Sequence, residues 1–385
     1  MQYRKFGKLD WEISALGFGA MRLPLIDGSQ GKVNEARAIE MIRYAIDNGV
    51  NYLDTAYPYH SGQSEVVVGK ALKDGYRERI KLATKLLSRA VETADDFDRY
   101  FDEQLERLQT GKLDFYLLHG LNARTWAKVR DLGILSWAEK QIASGRFDYL
   151  GFSFHDSYEA FKQIIDAYDN WTLAQIQYNY MDIDHQAGTQ GLKYAADKGL
   201  AVVVMEPLRG GQLVNPPEQV ADVWAKAEHQ RTPAEWALKW VWNQPEVSVA
   251  LSGMSTMEQV KQNIAAAQRS GIGSLTDEES VLIDQVREAY TGLNPIPCTK
   301  CGYCMPCSSG VEIPGILGMY NEAAVYGNVR VRRMFYSGPR GLKDKQRADK
   351  CTDCGECVEV CPQEIPIPDW LKKAHKLLSP QENGT

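Results

Sequence analysis

Between residues 13 and 290 short apolar runs alternate with amphipathic stretches, and this rhythm restricts the fold more than any other feature of the chain. The runs are ISALGFGA (13–20), NYLDT (51–55), IKLATK (80–85), KLDFYLLH (112–119), FDYLGFSF (147–154), TLAQIQYN (172–179), AVVVMEP (201–207) and VSVALSG (247–253). Helical spacing of apolar residues follows each of them, over 34–49, 64–72, 93–109, 126–145, 157–168, 190–199, a pair at 217–229 and 234–243, and 256–268, with 276–290 closing the series. Short, near-continuous apolar runs are the pattern of parallel strands buried on both faces. Eight such units over roughly 280 residues predict an α/β chain closed into a (β/α)8 TIM barrel. An open dinucleotide-binding sheet is disfavoured, because no G-x-G-x-x-G follows the first strand. Ahead of the series, Met1 to Ser14 reads as a hairpin of YRKFG and WEIS.

In such a barrel the chemistry gathers at the C-terminal ends of the strands. Asp54 ends one strand, and Tyr59 lies in the polar loop just after it. Lys85 closes the next strand and His119 the one after. Taken singly, an Asp after a strand is often a turn or helix-cap residue. Four such residues at successive strand ends point instead to one site. A Lys in that position also suits a Schiff-base lyase, although Tyr59 and Asp54 at their spacing argue for proton transfer.

Beyond Thr291 the composition changes. All 8 cysteines fall between Cys298 and Cys361. Crowded short spacings of this kind indicate metal thiolates rather than disulfides. Cys298, Cys301, Cys304 and Cys307 read C-x2-C-x2-C-x2-C, and Cys351, Cys354, Cys357 and Cys361 read C-x2-C-x2-C-x3-C-P. The second run matches the ferredoxin pattern for [4Fe–4S] clusters, whose fourth Cys serves the other cluster. Tetrahedral zinc is the alternative for paired C-x2-C motifs. Crossed ligation groups Cys298, Cys301, Cys304 and Cys361 around one cluster, and Cys307, Cys351, Cys354 and Cys357 around the other. Cys307 departs from the pattern by one residue and is followed by Ser308 instead of Pro. Between the runs lie 43 residues with a predicted helix (314–327) and a basic stretch (329–333). The expected division is a barrel over 1–292 and an α-helical ferredoxin-like domain over 293–385.

A formal net charge of −6 offers no basic surface for nucleic acid. The opening residues lack the apolar core of a signal peptide, and no apolar run is long enough to span a membrane. The expectation is a cytoplasmic protein with no nucleic-acid or membrane partner.

YRKFGKLDWEISALGFGAMRLP, NYLDTAYPYHSGQSEVVVGKAL, LATK, DFYLLH, LGFS and LSGMSTMEQVKQNI together resemble the aldo-keto reductases over about residues 1–290. That resemblance implies an oxidoreductase in which Asp54, Tyr59, Lys85 and His119 form the catalytic tetrad, with Tyr57 off the required spacing. Tyr59 is then the proton donor to a carbonyl, or the base for an alcohol. Lys85 lowers its pKa, Asp54 holds Lys85, and His119 orients the carbonyl. For a nicotinamide cofactor it implies Gly19, Met21, Ser153, Gln175, Met205, Ser255, Gln259 and Asn263. Phe154 stands where Asn is more usual, and Met205 where an aromatic usually stacks. Gly253 and Gln259 replace the cations that grip a 2′-phosphate, so NAD(H) is preferred over NADP(H).

The whole chain resembles aldo-keto reductases fused to a ferredoxin-type domain. Clusters carry single electrons and nicotinamides deliver hydride, so coupling them calls for a two-to-one converter such as a flavin. No flavin motif stands out, and a flavin is not excluded. The expected function is carbonyl reduction or alcohol oxidation, with the clusters relaying electrons to or from a ferredoxin or flavoprotein. The alternatives are purely structural clusters on an NAD(P)H-dependent reductase, or an electron-transfer or redox-sensing module without catalysis.

Overall fold

The structure, a computed structural model, describes residues 1–26, 31–339 and 341–380. They divide into two compact units, one of residues 1–214 and 231–279, the other of residues 215–230 and 280–385.

In the first unit β1 (Tyr3–Lys5) and β2 (Glu12–Ser14) form an antiparallel hairpin. Eight parallel strands then close a barrel: β3 (Leu16–Gly19), β4 (Tyr52–Asp54), β5 (Lys81–Leu86), β6 (Leu113–Leu121), β7 (Phe147–Phe154), β8 (Leu173–Gln177), β9 (Ala201–Met205) and β10 (Val247–Ser252), with β10 pairing β3. This is the predicted TIM barrel. The apolar run 13–20 divides at Ala15, its first residues pairing with β1 and the rest entering the barrel. The predicted helix over 126–145 is two helices, Ala123–Asp131 and Ile134–Ala143, because Gly133 between them adopts φ 87°. That left-handed conformation ends a helix and favours glycine.

Alternation along each strand sorts the side chains into two cores. Leu53, Leu82, Tyr116, Leu118, Phe152, Ala174, Val202, Val204 and Ala250 join the layer under the helices. Their neighbours Tyr52, Ala83, Phe115, Leu117, Leu173, Ala201, Val203, Val249 and Leu251 fill the barrel interior. Phe6 of the hairpin joins that interior, stacked on Trp11 at 5.2 Å and tilted against Phe115 at 5.0 Å. Gly151 makes room there, since a Cβ would lie 2.6 Å from Leu173 Cγ. Truncating a ring such as Phe115 to Ala costs about 3–5 kcal/mol in a core of this kind.

The second unit has its own core of Ile296, Val311, Ile313, Ile316, Leu317, Ala323, Tyr336, Ala348, Ile365, Ile367, Leu371, Ala374 and Leu378. Helices Ile313–Tyr326, Val329–Ser337 and Ile367–Leu378 supply most of it. Asn321 is buried, donating to Ile296 O at 2.7 Å and accepting from Ile296 N at 3.0 Å, which pins the linker two residues before Cys298. No helix among the described residues is long and apolar enough to cross a membrane.

Candidate active site

The inward rows that fill the barrel continue upward into polar side chains. Two residues beyond Tyr52 is Asp54, beyond Ala83 is Lys85, beyond Leu117 is His119, beyond Gly151 is Ser153, and beyond Leu173 is Gln175. A step of two keeps each on the inner face. The packed apolar layers therefore carry a polar layer at the C-terminal ends of the strands.

At its centre is Lys85, 1% exposed. Its ammonium donates to the Asp54 carboxylate, to Thr55 O at 2.9 Å and to Tyr59 Oη at 3.4 Å. Asp54, 3% exposed, also accepts from Gln175 Nε2 at 3.2 Å. The Tyr59 ring meets the His119 ring edge-on, with centroids 5.7 Å apart. All four strand-end residues are thus brought together. Tyr57 lies elsewhere, its hydroxyl on Glu103 at 2.9 Å and its ring against Tyr100.

The electrostatics follow from burial. Burial pushes the Asp54 carboxyl up, and the Lys85 charge beside it opposes that rise. Burial alone would lower Lys85, but Asp54 and then Tyr59 outweigh it, leaving its pKa above the usual 10.5. His119 is held well below 6.5, first by burial and then by the Lys85 charge, so it is neutral at physiological pH. Its Nδ1 is buried without a hydrogen-bond partner. Tyr59 differs from expectation. Lys85 does pull its phenol down, but burial is the larger effect and leaves it above 10. The phenol is a stored proton.

The residues assigned to a nicotinamide are scattered around the same rim. Ser153 Oγ accepts from Gly120 N at 2.8 Å, which ties β7 to the residue after His119. Gln175 is engaged with Asp54. Met205 ends β9, partly buried, and Phe154 is fully buried against Phe161 in the helix layer. Gly19 ends β3, where a Cβ would lie 3.3 Å from Ser252 O, and Met21 is exposed just after it. Ser255 Oγ donates to Arg22 O at 2.9 Å, and Gln259 Oε1 accepts from Ser255 N at 2.8 Å. Asn263 is turned inward, donating to Ser252 Oγ at 2.9 Å.

The sequence reading passed over Arg22 and Asp182. Arg22 is exposed against Gly253 and Gly210, where the loops after β10 and β9 meet the one after β3. Asp182 binds Arg209 Nε at 3.0 Å. Each meets a residue of another strand-end loop, Arg22 those after β9 and β10 and Asp182 that after β9.

In the second unit the thiols surround two cavities. One is lined by Cys298, Cys301, Cys304 and Cys361 with Leu317, Ile365 and Ile367. The other, of about 210 Å³, is lined by Cys304, Cys307, Cys351, Cys354 and Cys357 with Ile313, Val360 and Leu371. None of the eight is in a disulfide. Asp353 N donates to Cys351 Sγ at 3.4 Å. Burial and the neighbouring Cys351 push the Cys357 thiol up to about 11, a charge balance that bound iron reverses. Among the described residues no three Cys, His, Asp or Glu side chains close on a single metal ion. Thiols ringing apolar-walled cavities fit a cluster, whose irons are spread out, better than one zinc.

A model of the aldo/keto reductase family matches residues 15–288. The chain belongs to the aldo/keto reductase family. It is an oxidoreductase, and a 4Fe-4S dicluster domain matches residues 297–365. The reductase is 26% identical over 311 residues to the uncharacterized oxidoreductase YrpG of Bacillus subtilis, covering 70% of this chain and 92% of that one. It is 28% identical over 320 residues to the L-galactose dehydrogenase of Arabidopsis thaliana, covering 77% and 95%. Among solved structures it resembles the holo form of an aldo-keto reductase from Bacillus halodurans, with TM-score 0.61, 27% identity, and 74% of this chain and 96% of that one covered.

Proposed function

We propose that this reductase converts a carbonyl to an alcohol, or the reverse, at Tyr59, Lys85, Asp54 and His119, and that its two [4Fe–4S] clusters exchange electrons with a ferredoxin or flavoprotein. The supporting observation is the buried Lys85 ammonium held between the Asp54 carboxylate, Thr55 O and Tyr59 Oη, with neutral His119 edge-on to the phenol.

Reduction supplies a carbonyl carbon with hydride and its oxygen with a proton. Tyr59 holds that proton, and Lys85 stabilises the phenolate left behind. Asp54 fixes Lys85, and Gln175 fixes Asp54. Neutral His119 has an N–H to donate to the oxygen as negative charge grows there. A bound nicotinamide supplies the hydride. The residues around the rim would suit one: Ser153 and Gln175 would hold the carboxamide, Met205 could pack on an aromatic ring, and Gly19, Met21, Ser255, Gln259, Asn263 and exposed Arg22 would hold the rest of the nucleotide. No Lys or Arg stands at Gly253 or Gln259, which favours NAD(H).

The clusters would be held as Cys298, Cys301, Cys304 and Cys361, and as Cys307, Cys351, Cys354 and Cys357. They supply one-electron steps. The reductase part is assigned to residues 1–292 and the cluster part to 293–385.

The test is an anaerobic titration of the iron-replete protein with NADH, NADPH and dithionite, followed by absorbance and EPR, beside carbonyl turnover by the protein and by Tyr59→Phe. Turnover that disappears in Tyr59→Phe, with dithionite-reducible clusters present, supports the reading. Turnover that survives in Tyr59→Phe ends the assignment of Tyr59, and absence of an iron signal ends that of the clusters.

A further inference from the structure

Asp54, Lys85 and His119 sit on strands of a closed barrel, whereas Tyr59 comes from a loop, five residues past Asp54. Its contact with Lys85 Nζ, at 3.4 Å, is longer than most N–H···O bonds and does little to hold the phenol in place. The backbone just after it is left-handed for three residues. His60 has φ 50° and ψ 39°, Ser61 φ 55° and ψ 37°, and Gly62 φ 90°. Glycine visits this region freely, but other residues stay there only where their surroundings hold them.

The holding contacts run to the loop after β3. Ser64 Oγ donates to Ala20 O at 2.9 Å. Leu23 N donates to His60 Nε2 at 3.2 Å, and the same ring hydrogen-bonds the Met21 backbone. Because Nε2 accepts, the imidazole is neutral and carries its proton on Nδ1. Burial favours that neutral form and the Met21 contact opposes it, leaving the ring below its usual 6.5. His60 thus fastens the Tyr59 turn to the backbone on both sides of Arg22. The charged groups facing the turn are few. Arg22 lies between the two backbone partners, with Glu206 near enough to feel its charge. Arg107 lies against Gly62 and is bound to Glu65 at 3.3 Å.

We propose that His60 is a positioning residue: seated on the backbone of Met21 and Leu23, its neutral imidazole holds the left-handed turn and so aims the Tyr59 phenol at the reacting oxygen. The inference rests on the role given to Tyr59 above. A protonated ring has no lone pair for Leu23 N. The clamp is therefore closed at neutral pH and opens as pH falls through a value below 6.5.

The experiment measures kcat, KM for NADH and Tm of the iron-replete protein, anaerobically with propanal, for the parent, His60→Gly and His60→Gln. Crystal structures of the parent and His60→Gly accompany it. Glycine suits the left-handed backbone but has no ring. His60→Gly should therefore keep a Tm near the parent's and still lose about 10- to 100-fold in kcat, the cost of a misplaced catalytic group. Its Tyr59 Oη should be displaced from the 3.4 Å contact with Lys85 Nζ. His60→Gln, whose amide oxygen can accept from Leu23 N, should recover most of that kcat. The parent's kcat should fall below pH 6.5, and this acid limb should be missing in His60→Gln, which does not titrate. Parental kcat in His60→Gly with Tyr59 in place overturns the inference. So does a defect confined to KM for NADH, or an acid limb that persists in His60→Gln. A parent that reduces no aldehyde removes the reading of Tyr59, and the crystal structures alone then decide whether His60 holds the turn.

Discussion

The barrel site and the thiol cavities are assembled in opposite ways. In the barrel each polar residue comes from a different strand, and Gln175 reaches Asp54 across 121 positions of sequence. The closed sheet sets their distances, and the apolar layers below hold them rigid. In the cysteine region all eight thiols come from two short runs, whose spacing brings them close before any packing. Cys361 crosses to line the cavity of Cys298, Cys301 and Cys304, while Cys304 and Cys307 line the cavity of Cys351, Cys354 and Cys357. A site made of distant residues survives or fails with the fold, whereas a site made of neighbours can be emptied one ligand at a time.

That difference is open to attack by substitution. The largest effect expected is in the barrel: Tyr59→Phe lowers carbonyl turnover by about 10²- to 10⁴-fold, the usual worth of a positioned proton donor. Its iron content and melting temperature should stay at the parent values, and a loss of iron would show that the two regions are not separable. Next, Lys85→Met strands the buried Asp54 carboxylate and costs roughly 3–5 kcal/mol in denaturant unfolding. Adding Asp54→Asn should recover much of that loss, and no recovery would mean that the pair is not the source of the cost.

In the cysteine region, Cys361→Ser and Cys307→Ser should each remove about half of the bound iron, from different clusters, if ligation crosses. Iron analysis with EPR reads this directly, and identical residual spectra from the two variants would break the crossed assignment. The smallest effect concerns pH. Tyr59 stays protonated below its raised pKa, so kcat/KM for reduction should be level between pH 6.5 and 10 and fall only as pH rises through that pKa. Neutral His119, held well below 6.5, adds no decline in that range. Alcohol oxidation, which needs the phenolate, should rise over the same range. A fall in reduction between pH 7 and 9 would show that Tyr59 is not the group titrating.

Much of this was legible in the residues. The apolar runs marked the eight strands, because parallel strands buried on both faces leave little room for polar residues. Asp54, Lys85 and His119 stood out as polar residues ending such runs, and the C-x2-C spacings marked the thiols. Other features were hidden. The helix over 126–145 breaks at Gly133, where one left-handed residue overrides a continuous amphipathic pattern. The basic run at 329–333 is helical, and its helix Val329–Ser337 sends Tyr336 into the core of the second unit. Arg22 carried no local signal, since its neighbours Gly210 and Gly253 come from other loops, and the Arg209 partner of Asp182 lies 27 residues away.

By itself, then, the sequence determined the class of fold, the inward row to which each strand-end residue belongs, and the grouping of the cysteines into two runs. These depend on backbone periodicity and short spacing, which act over a few residues. The tertiary structure alone decided that Lys85 Nζ reaches Asp54, Thr55 O and Tyr59 together. It also decided the direction of the Tyr59 shift, because burial is a property of the closed barrel and outweighs the single charge that the sequence made visible.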